Sequence, residues 1–214
     1  MDFHTDTVLA NGLRELLQRL EKSMELRVPV NVFLAGGMAV HLYTASRTTA
    51  DVDAEFRPVI PDPRFRISVP QDLAVEIVED GVEKVVYFDT NYNSAFALMH
   101  EDYMDDAVPV QMGMQNLRLF VLSPVDLAVS KIARFQDNDR EDIAALVRGG
   151  LTTADAIEKR AAEALGGFVG NTRMLELNIR DAVALARTAE LEAKKDLEDQ
   201  LTSLQDKGQY RPSC

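Results

Sequence analysis

The chain has 214 residues and carries 23 Lys and Arg against 35 Asp and Glu, a formal net charge of −12. This acidic balance argues against broad nucleic-acid binding, which relies on basic surface. The contents of 46% hydrophobic and 27% charged residues are typical of a globular protein. No apolar run approaches the ~20 residues of a membrane span. The first residues lack the basic and apolar regions of a signal peptide, and the single cysteine is Cys214, so we expect a cytoplasmic protein without disulfides.

The chain opens with apolar residues at helical spacing. They predict a helix that Thr5 or Asp6 caps and that runs to about Leu26. The apolar run 30–35 is short enough for a buried strand, and residues 38–46 can form two or three helical turns. The sequence therefore predicts a helix, a strand and a second helix in this order.

A glycine pair separates that strand from the second helix. Without a Cβ atom, Gly36 and Gly37 let a phosphate approach the backbone and can take positive φ. The helix that follows directs its free N–H groups and the positive end of its dipole to the same place. We therefore predict a phosphate-binding turn, although a glycine pair after a strand is also common as a simple turn.

Residues 51–56 predict a second strand with acidic side chains on one face. Because side chains alternate along a strand, Asp51, Asp53 and Glu55 point to one side and the apolar residues between them to the other. Two carboxylates two residues apart are separated by about 7 Å, at roughly 3.3 Å per residue. They repel each other unless a cation lies between them, and an oxygen-only pair favours Mg²⁺ or Mn²⁺. The structural alternative is a solvated acidic face.

The middle of the chain predicts a short acidic helix or helix–strand hybrid and then a β-hairpin with a tight turn. The helical segment is 71–80, and the hairpin has strands 83–89 and 94–100 around the turn 90–93.

A last strand and two helices follow. Residues 117–122 predict the strand, and Ser123 as N-cap with Pro124 at the first position starts the next helix. Lys131 and Arg134 lie three residues apart and share one helix face. The acidic residues from 137 to 142 suit the start of another helix.

The glycine pair and the acidic strand together resemble the polymerase-β-type nucleotidyltransferase superfamily. Its signature is Gly-Gly or Gly-Ser followed about a dozen residues later by Asp-x-Asp or Asp-x-Glu. Here residues 38–50 separate Gly37 from Asp51, and Met38 replaces the serine that often follows the glycines. The resemblance implies that Asp51 and Asp53 hold Mg²⁺ or Mn²⁺ and that a nucleoside triphosphate is the substrate.

The strand–Ser-Pro–helix block resembles the nucleotidyltransferase toxins of bacterial abortive-infection and toxin–antitoxin operons. In such proteins a lysine contacts the nucleotide phosphates and an aspartate from a later acidic motif completes the site. This implies Lys131 as the phosphate ligand and Asp142 or Asp139 as the later acid. The superfamily also implies a third metal-binding carboxylate beyond the Asp-x-Asp strand.

The candidates for that third carboxylate are Asp89, Glu101 and Asp102, among which the sequence does not choose. The predicted catalytic residues are Asp51, Asp53, Lys131 and Asp142. The predicted nucleotide-binding residues are Gly36, Gly37, Arg47, Thr49, Lys131 and Arg134. The predicted metal ligands are Asp51, Asp53 and Asp102.

The implied fold is α/β (α+β): a small mixed, twisted sheet flanked by helices and followed by a C-terminal helical bundle. We expect a nucleotidyltransferase-like domain over 1–148 and a helical region over 149–214. In the latter, Thr152 or Thr153 caps a first helix, and a long second helix starts near 171 or 172. These helices offer a surface for a homodimer.

The predicted function is Mg²⁺-dependent transfer of a nucleoside monophosphate to tRNA or a protein. The resemblance implies a toxin–antitoxin or phage-defence component, as toxin or as antitoxin, with the cognate antitoxin or toxin as partner. One alternative is a catalytically inactive member of the fold that binds a nucleotide or a partner. Another is an aminoglycoside-type enzyme, whose cationic substrates suit an acidic protein.

Overall fold

The computed structural model describes residues 2–24, 26, 28–61, 67–168 and 172–209. In these residues the chain forms two small mixed sheets and six α-helices, so the predicted α+β class is confirmed. The helices are α1 (Val8–Ser23), α2 (Gly36–Thr44), α3 (Pro124–Ser130), α4 (Asp137–Arg148), α5 (Ala154–Gly167) and α6 (Thr172–Gln209). The strands are β1 (Val30–Leu34), β2 (Asp51–Val52), β3 (Ala54–Pro58), β4 (Ala74–Glu79), β5 (Val82–Phe88), β6 (Val108–Val110) and β7 (Leu117–Val121).

The larger sheet has the strand order β3-β1-β7-β6. Its inner strand β1 runs parallel to β7 and antiparallel to β3, and β6 runs antiparallel to β7. The smaller sheet has the order β2-β5-β4, with β2 parallel and β4 antiparallel to β5. The predicted strands at 30–35 and 117–122 are therefore adjacent in space, which brings the start of α2 close to the start of α3.

Helix α1 is confirmed, but its cap is Thr7 and it ends at Ser23. The Thr7 hydroxyl oxygen accepts a hydrogen bond from the Ala10 N–H at 3.1 Å. One face of the helix is fully buried against the smaller sheet. Its buried apolar residues are Leu9, Ala10, Leu13, Leu16, Leu17 and Leu20.

The prediction of a helix or hybrid at 71–80 is wrong, because this segment forms strand β4. Val75 and Ile77 are buried while Glu76 and Val78 are exposed, which is the alternation of a half-buried strand. Strands β4 and β5 form a hairpin whose turn residues, Asp80 and Gly81, have φ of 53° and 77°. Positive φ at both positions is what a tight two-residue hairpin turn requires.

The predicted hairpin between 83–89 and 94–100 is also wrong. Strand β5 pairs with β4 through residues 82–87 on one side and with β2 at Tyr87 and Phe88 on the other, so the end of β5 where a hairpin with residues 94–100 would begin is already paired. That segment instead contains one turn of 3-10 helix, Ser94–Phe96. The Asn93 side chain caps this turn by accepting from the Ala95 N–H at 2.9 Å.

The C-terminal helices confirm the predicted helical region. Thr153 caps α5 by accepting from the Ala156 N–H at 3.1 Å, and α6 packs along α4 and α5. The division at 148/149 and the homodimer stay predictions. No helix in the described parts of the chain combines the length and the apolar character that crossing a bilayer requires.

A buried ion-pair network ties α5 to α3. Asp126 is only 1% exposed, and Arg160 donates to its two carboxylate oxygens at 2.7 and 3.0 Å. The same guanidinium donates to Asp106 at 2.5 Å. The hydrogen bonds to Asp126 raise the pKa of Arg160, so the guanidinium stays charged.

We expect Arg160→Leu to lower the free energy of unfolding by about 3 kcal/mol, because it leaves a buried carboxylate without its cation. Arg187→Leu is the matched control, since Arg187 pairs with Glu158 on an exposed surface. The control is expected to cost less than about 1 kcal/mol. Urea denaturation measures both, and equal losses would contradict a special role for the buried pair.

Candidate active site

The site is built where one acidic segment passes from the smaller sheet to the larger one. The predicted single strand at 51–56 is interrupted at Asp53, because β2 pairs with β5 while β3 pairs with β1. The Asp53 carbonyl accepts from the Ala35 N–H at 2.8 Å, and the Val52 carbonyl accepts from the Asp89 N–H at 3.0 Å. These bonds place Asp53 between the end of β1 and the end of β5.

Gly36 is the first residue of α2 and lies directly against Asp53. The helix therefore begins two residues earlier than predicted, with Gly36 at φ +65°. A Cβ atom on Gly36 would lie 1.8 Å from Asp53 Oδ2, which is far inside van der Waals contact. The sequence thus needs glycine here both for the left-handed backbone and for the space that the carboxylate occupies.

Gly37 makes room for the loop that precedes β2. A Cβ atom on Gly37 would lie 3.1 Å from Thr49 Oγ1 and 3.4 Å from Arg47 Nε. The Thr49 hydroxyl in turn donates a hydrogen bond to the carboxylate of Asp51. Thr49 therefore orients Asp51, and the predicted contact of Gly37 and Thr49 with a nucleotide stays a prediction.

A cavity of about 230 Å³ opens beside Asp53. It brings together six candidates from the sequence, namely Gly36, Asp53, Asp89, Lys131, Arg134 and Asp139. In the described part of the chain its lining residues are Ala35, Gly36, Asp53, Asp89, Tyr92, Asn93, Phe96, Ala97, Ser130, Lys131, Arg134 and Asp139. Acidic residues from two strand ends thus face basic residues from the end of α3.

The cavity has an excess of negative charge around Asp53. Burial, together with the negative charges of Asp51 and Asp89, raises the pKa of Asp53 to about 6. Lys131 and Arg134 act in the opposite direction without cancelling this effect. A cation bound beside Asp53 would stabilise its ionised form, and carboxylate oxygens are the donors that Mg²⁺ and Mn²⁺ prefer.

Asp142 holds two of the predicted basic residues. Its side chain is buried, with 2% of the residue exposed. Lys131 Nζ lies 2.8 Å from Asp142 Oδ2, and Arg47 Nε lies 3.1 Å from Asp142 Oδ1. The second contact is electrostatic, because the Nε–H of Arg47 is not aligned for a hydrogen bond with any described residue. Asp142 is not in the lining of the cavity, so its predicted role in catalysis would be exerted through Lys131 and Arg47.

Arg134 stands at the mouth of the cavity. It follows α3 in the short connection to α4, and its Nε and Nη2 donate to the two carboxylate oxygens of Asp139 at 2.8 and 2.7 Å. These hydrogen bonds raise the pKa of Arg134. Burial raises the pKa of Asp139, but the bonds from Arg134 and from the Gln136 N–H lower it more, so that the net change is a decrease. The side chain of Arg134 is 62% exposed and accessible to a ligand.

Of the three candidates for a third carboxylate, Asp89 lies beside Asp53 in the structure. Asp102 and Glu101 lie in the exposed turn that follows residue 100, and Asp102 Oδ2 is 3.8 Å from His100 Nδ1. Neither lines the cavity of Asp53. Within the described residues, no group of three or more His, Cys, Asp or Glu side chains is arranged to hold a metal ion. The metal-binding role of Asp102 stays a prediction, and its position does not support it.

Two aromatic residues of the cavity, Tyr92 and Phe96, have no sequence motif that marks them as part of a site. Burial raises the pKa of Tyr92, and the negative charges of Glu55 and Asp53 raise it further. Phe96 is 80% exposed although it is a large apolar side chain. Both belong to the segment 90–100, for which the sequence predicts a hairpin turn and a strand, and neither element would place these side chains beside Asp53.

The raised pKa of Asp53 predicts a pH-dependent difference between the wild type and Asp53→Asn. Between about pH 4 and pH 6 the unfolded chain has released this proton while the folded chain still holds it, so the free energy of unfolding falls as pH rises. Asp53→Asn has no carboxyl group at this position, so its free energy of unfolding does not fall for this reason. Without divalent cations the variant should match the wild type near pH 4 and exceed its free energy of unfolding above pH 6 by about 3 kcal/mol. Urea denaturation across this range checks the prediction, and a constant difference would contradict it.

Comparisons with known proteins bear on this arrangement. A family model described as nucleotidyltransferase of unknown function (DUF6036) matches residues 11–180, a range that includes every residue of the cavity. Neither the curated proteins nor the solved structures gave a match to the chain. Because the match extends over more than half of the chain, the protein belongs to this family of nucleotidyltransferases of unknown function.

Proposed function

We propose that the chain transfers a nucleoside monophosphate from a nucleoside triphosphate to an acceptor hydroxyl, with Mg²⁺ or Mn²⁺. The observation that carries the proposal is the position of the Asp53 carboxylate. It is packed against Gly36 at the start of α2, beside Asp51 and Asp89, and Lys131 lines the same cavity. Family membership supports the same class of reaction.

The residues fit a divalent cation. Mg²⁺ is commonly held by one or two protein carboxylates together with substrate phosphates and water, so a closed cluster of three protein ligands is not required. In the proposal, Asp51 and Asp53 hold the ion and Asp89 adds negative charge nearby. When bound, the ion supplies Lewis-acid stabilisation of the phosphate oxygens.

The basic residues act on the triphosphate. Lys131 lies at the C-terminal end of α3 and lines the cavity, so its ammonium can neutralise charge that develops on the leaving group. Arg134 offers a guanidinium at the cavity mouth, where it suits phosphate oxygens. The N-terminal end of α2 adds backbone N–H groups. The cavity of about 230 Å³ is smaller than typical ligand pockets and suits the phosphate end of the nucleotide.

The chemical step is a displacement at the α-phosphorus. The acceptor oxygen forms the new bond to phosphorus, the bond between that phosphorus and the α–β bridging oxygen breaks, and pyrophosphate leaves with the bonding electrons. The proton of the acceptor hydroxyl passes to a carboxylate oxygen of Asp51 or Asp53. No histidine in the described residues lines the cavity to act as this base.

The resemblance of the sequence also supports a toxin–antitoxin or phage-defence setting. We propose tRNA or a protein as the acceptor, and a cognate antitoxin or toxin as the partner, in the cytoplasm. The net charge of −12 favours a protein acceptor over an extended RNA footprint.

The test incubates the protein with Mg²⁺, each nucleoside triphosphate labelled at the α-phosphate, and cell extract. The expected result is label on a protein or RNA together with pyrophosphate release, and loss of both in Asp53→Asn. Nucleotide binding without release of pyrophosphate would contradict transfer and support a protein that only binds nucleotides. Label on a small molecule would instead support the aminoglycoside-type alternative.

A further inference from the structure

Two buried hydrogen bonds connect the first helix to the loop before the acidic segment. His41 in α2 is 3% exposed; its Nε2 lies 2.7 Å from the Thr7 hydroxyl oxygen. Its Nδ1 lies 2.7 Å from the backbone carbonyl oxygen of Arg47. A histidine inside a predicted helix carries no sequence signal for either contact.

The partners determine which ring nitrogen carries the proton. A carbonyl oxygen can only accept, so Nδ1–H donates to Arg47, and in the neutral ring Nε2 accepts from the Thr7 hydroxyl. The Thr7 oxygen also accepts from the Ala10 N–H at 3.1 Å, as the N-cap of α1. Every polar atom of this chain of contacts is therefore satisfied with His41 neutral.

The loop that His41 holds carries two of the predicted nucleotide-binding residues. Arg47 and Thr49 lie against Gly37, and a Cβ atom on the glycine would lie so close to Thr49, at 3.1 Å, that Thr49 would have to shift slightly. Thr49 donates to the Asp51 carboxylate, and Arg47 lies 3.1 Å from Asp142. A shift of this loop would thus move a carboxylate of the proposed metal site.

The same shift would also affect Lys131, which lines the cavity. Asp142 Oδ2 is 2.8 Å from Lys131 Nζ, and both residues are buried. Removing the Arg47 guanidinium from Asp142 would change the charge balance around the lysine that faces the phosphates. One loop therefore links Asp51, whose charge acts on Asp53, with Lys131, which lines the cavity.

We propose that Thr7 and His41 are positioning residues of the active site, which hold the Arg47–Thr49 loop in the geometry that nucleotidyl transfer requires. This inference rests on the proposed function. It assigns to the N-terminal helix a role in the reaction besides covering the smaller sheet. Neither residue lines the cavity, so both act through the loop.

The first measurement examines the contacts without any nucleotide. In ¹⁵N NMR spectra of histidine-labelled protein, His41 should show the Nδ1–H tautomer with a slowly exchanging ring proton. Thr7→Ser keeps the hydroxyl and should leave both ring ¹⁵N shifts unchanged. Thr7→Val should keep the Nδ1–H tautomer, because the Arg47 carbonyl still accepts, but should shift the Nε2 resonance, because Nε2 loses its hydrogen-bond donor. A wild-type spectrum with the proton on Nε2, or with exchanging tautomers, would overturn the proposal.

The second measurement compares the kinetics of the full-length variants. Thr7→Val should lower kcat/KM for the nucleoside triphosphate about tenfold or more, since displacement of a positioned group by about 1 Å can cost 100-fold. Thr7→Ser should retain wild-type kinetics. Thr153→Val is the matched control, because Thr153 caps α5 in the same way but lies outside the chain of contacts.

The outcomes separate this inference from the proposed function. A tenfold loss in Thr7→Val with normal kinetics in Thr153→Val supports positioning, because both variants lose one helix cap. Equal kinetics in Thr7→Val and wild type overturns it. If the wild type transfers no nucleotide with any triphosphate, the proposed function fails, and with it the positioning role, even where the NMR signature of His41 is present.

Discussion

Asp53→Asn is expected to reduce kcat for nucleotidyl transfer by roughly 10³-fold while the fold is retained. An amide keeps the shape of the side chain but removes the charge that would hold a divalent cation. Loss of one preorganised electrostatic group in an active site typically costs about 10²–10³ in kcat, and a metal ligand is at the upper end. The Asp53 side chain fills the space beside Gly36, and Asp51 and Asp89 lie nearby. Because asparagine still fills that space, neither neighbouring carboxylate can take the place of the lost one.

The control for this variant is Glu76→Gln, which makes the same chemical change on the exposed face of β4. Its kinetics and stability should equal those of the wild type. Steady-state kinetics with saturating Mg²⁺ and calorimetric binding of Mn²⁺ give the two readouts. A variant at position 53 that keeps wild-type kcat would contradict the assigned role, and one that unfolds would contradict the view that this carboxylate lowers stability at neutral pH.

Gly36→Ala is expected to lower the free energy of unfolding by about 3 kcal/mol and to abolish nucleotide binding. A non-glycine residue at φ +65° costs about 1–2 kcal/mol, and the added methyl group meets Asp53 Oδ2 at 1.8 Å. Forcing a methyl group into a packed site costs another 1–3 kcal/mol or so. Because the atom in the way is the Asp53 carboxylate, relief of the clash must displace the proposed metal ligand.

Gly81→Ala separates the two causes. Gly81 also has positive φ, at 77°, but a Cβ atom there meets nothing within 4 Å. The control should lose only the backbone contribution of about 1–2 kcal/mol and bind nucleotide normally. Urea denaturation and nucleotide binding on both variants measure the difference. If Gly36→Ala and Gly81→Ala lose the same free energy of unfolding, the contact with Asp53 does not contribute to stability. If Gly36→Ala binds nucleotide normally, the contact has no functional consequence.

Segments with a local signal were predicted correctly. The apolar run of β1, the Ser123–Pro124 start of α3 and the Thr153 cap of α5 each depend on residues that are neighbours in sequence. The positive φ of Gly36 also agrees with the sequence analysis, because glycine has no Cβ atom and adopts the left-handed backbone without steric cost.

Segments whose structure depends on a partner strand were predicted poorly. Residues 74–79 form β4 because β5 pairs with them across a tight turn at Asp80 and Gly81. Residues 94–96 form no strand with the end of β5, where Tyr87 is already paired with both β4 and β2. A short acidic or mixed segment has no strong preference of its own, so hydrogen bonding to a distant strand decides its structure.

By itself the sequence determined the elements with local signals and the residues Asp51, Asp53, Gly36 and Lys131 as one proposed site. Only the tertiary structure decided that Asp89 and not Asp102 lies beside Asp53, and that the acidic segment is divided between two sheets. It also revealed Asp142 as the partner of Lys131 and His41 as a contact of the Arg47 loop. The physical reason is distance along the chain: charge and hydrogen bonds act over a few ångström in space, and the sequence does not state which residues lie that close.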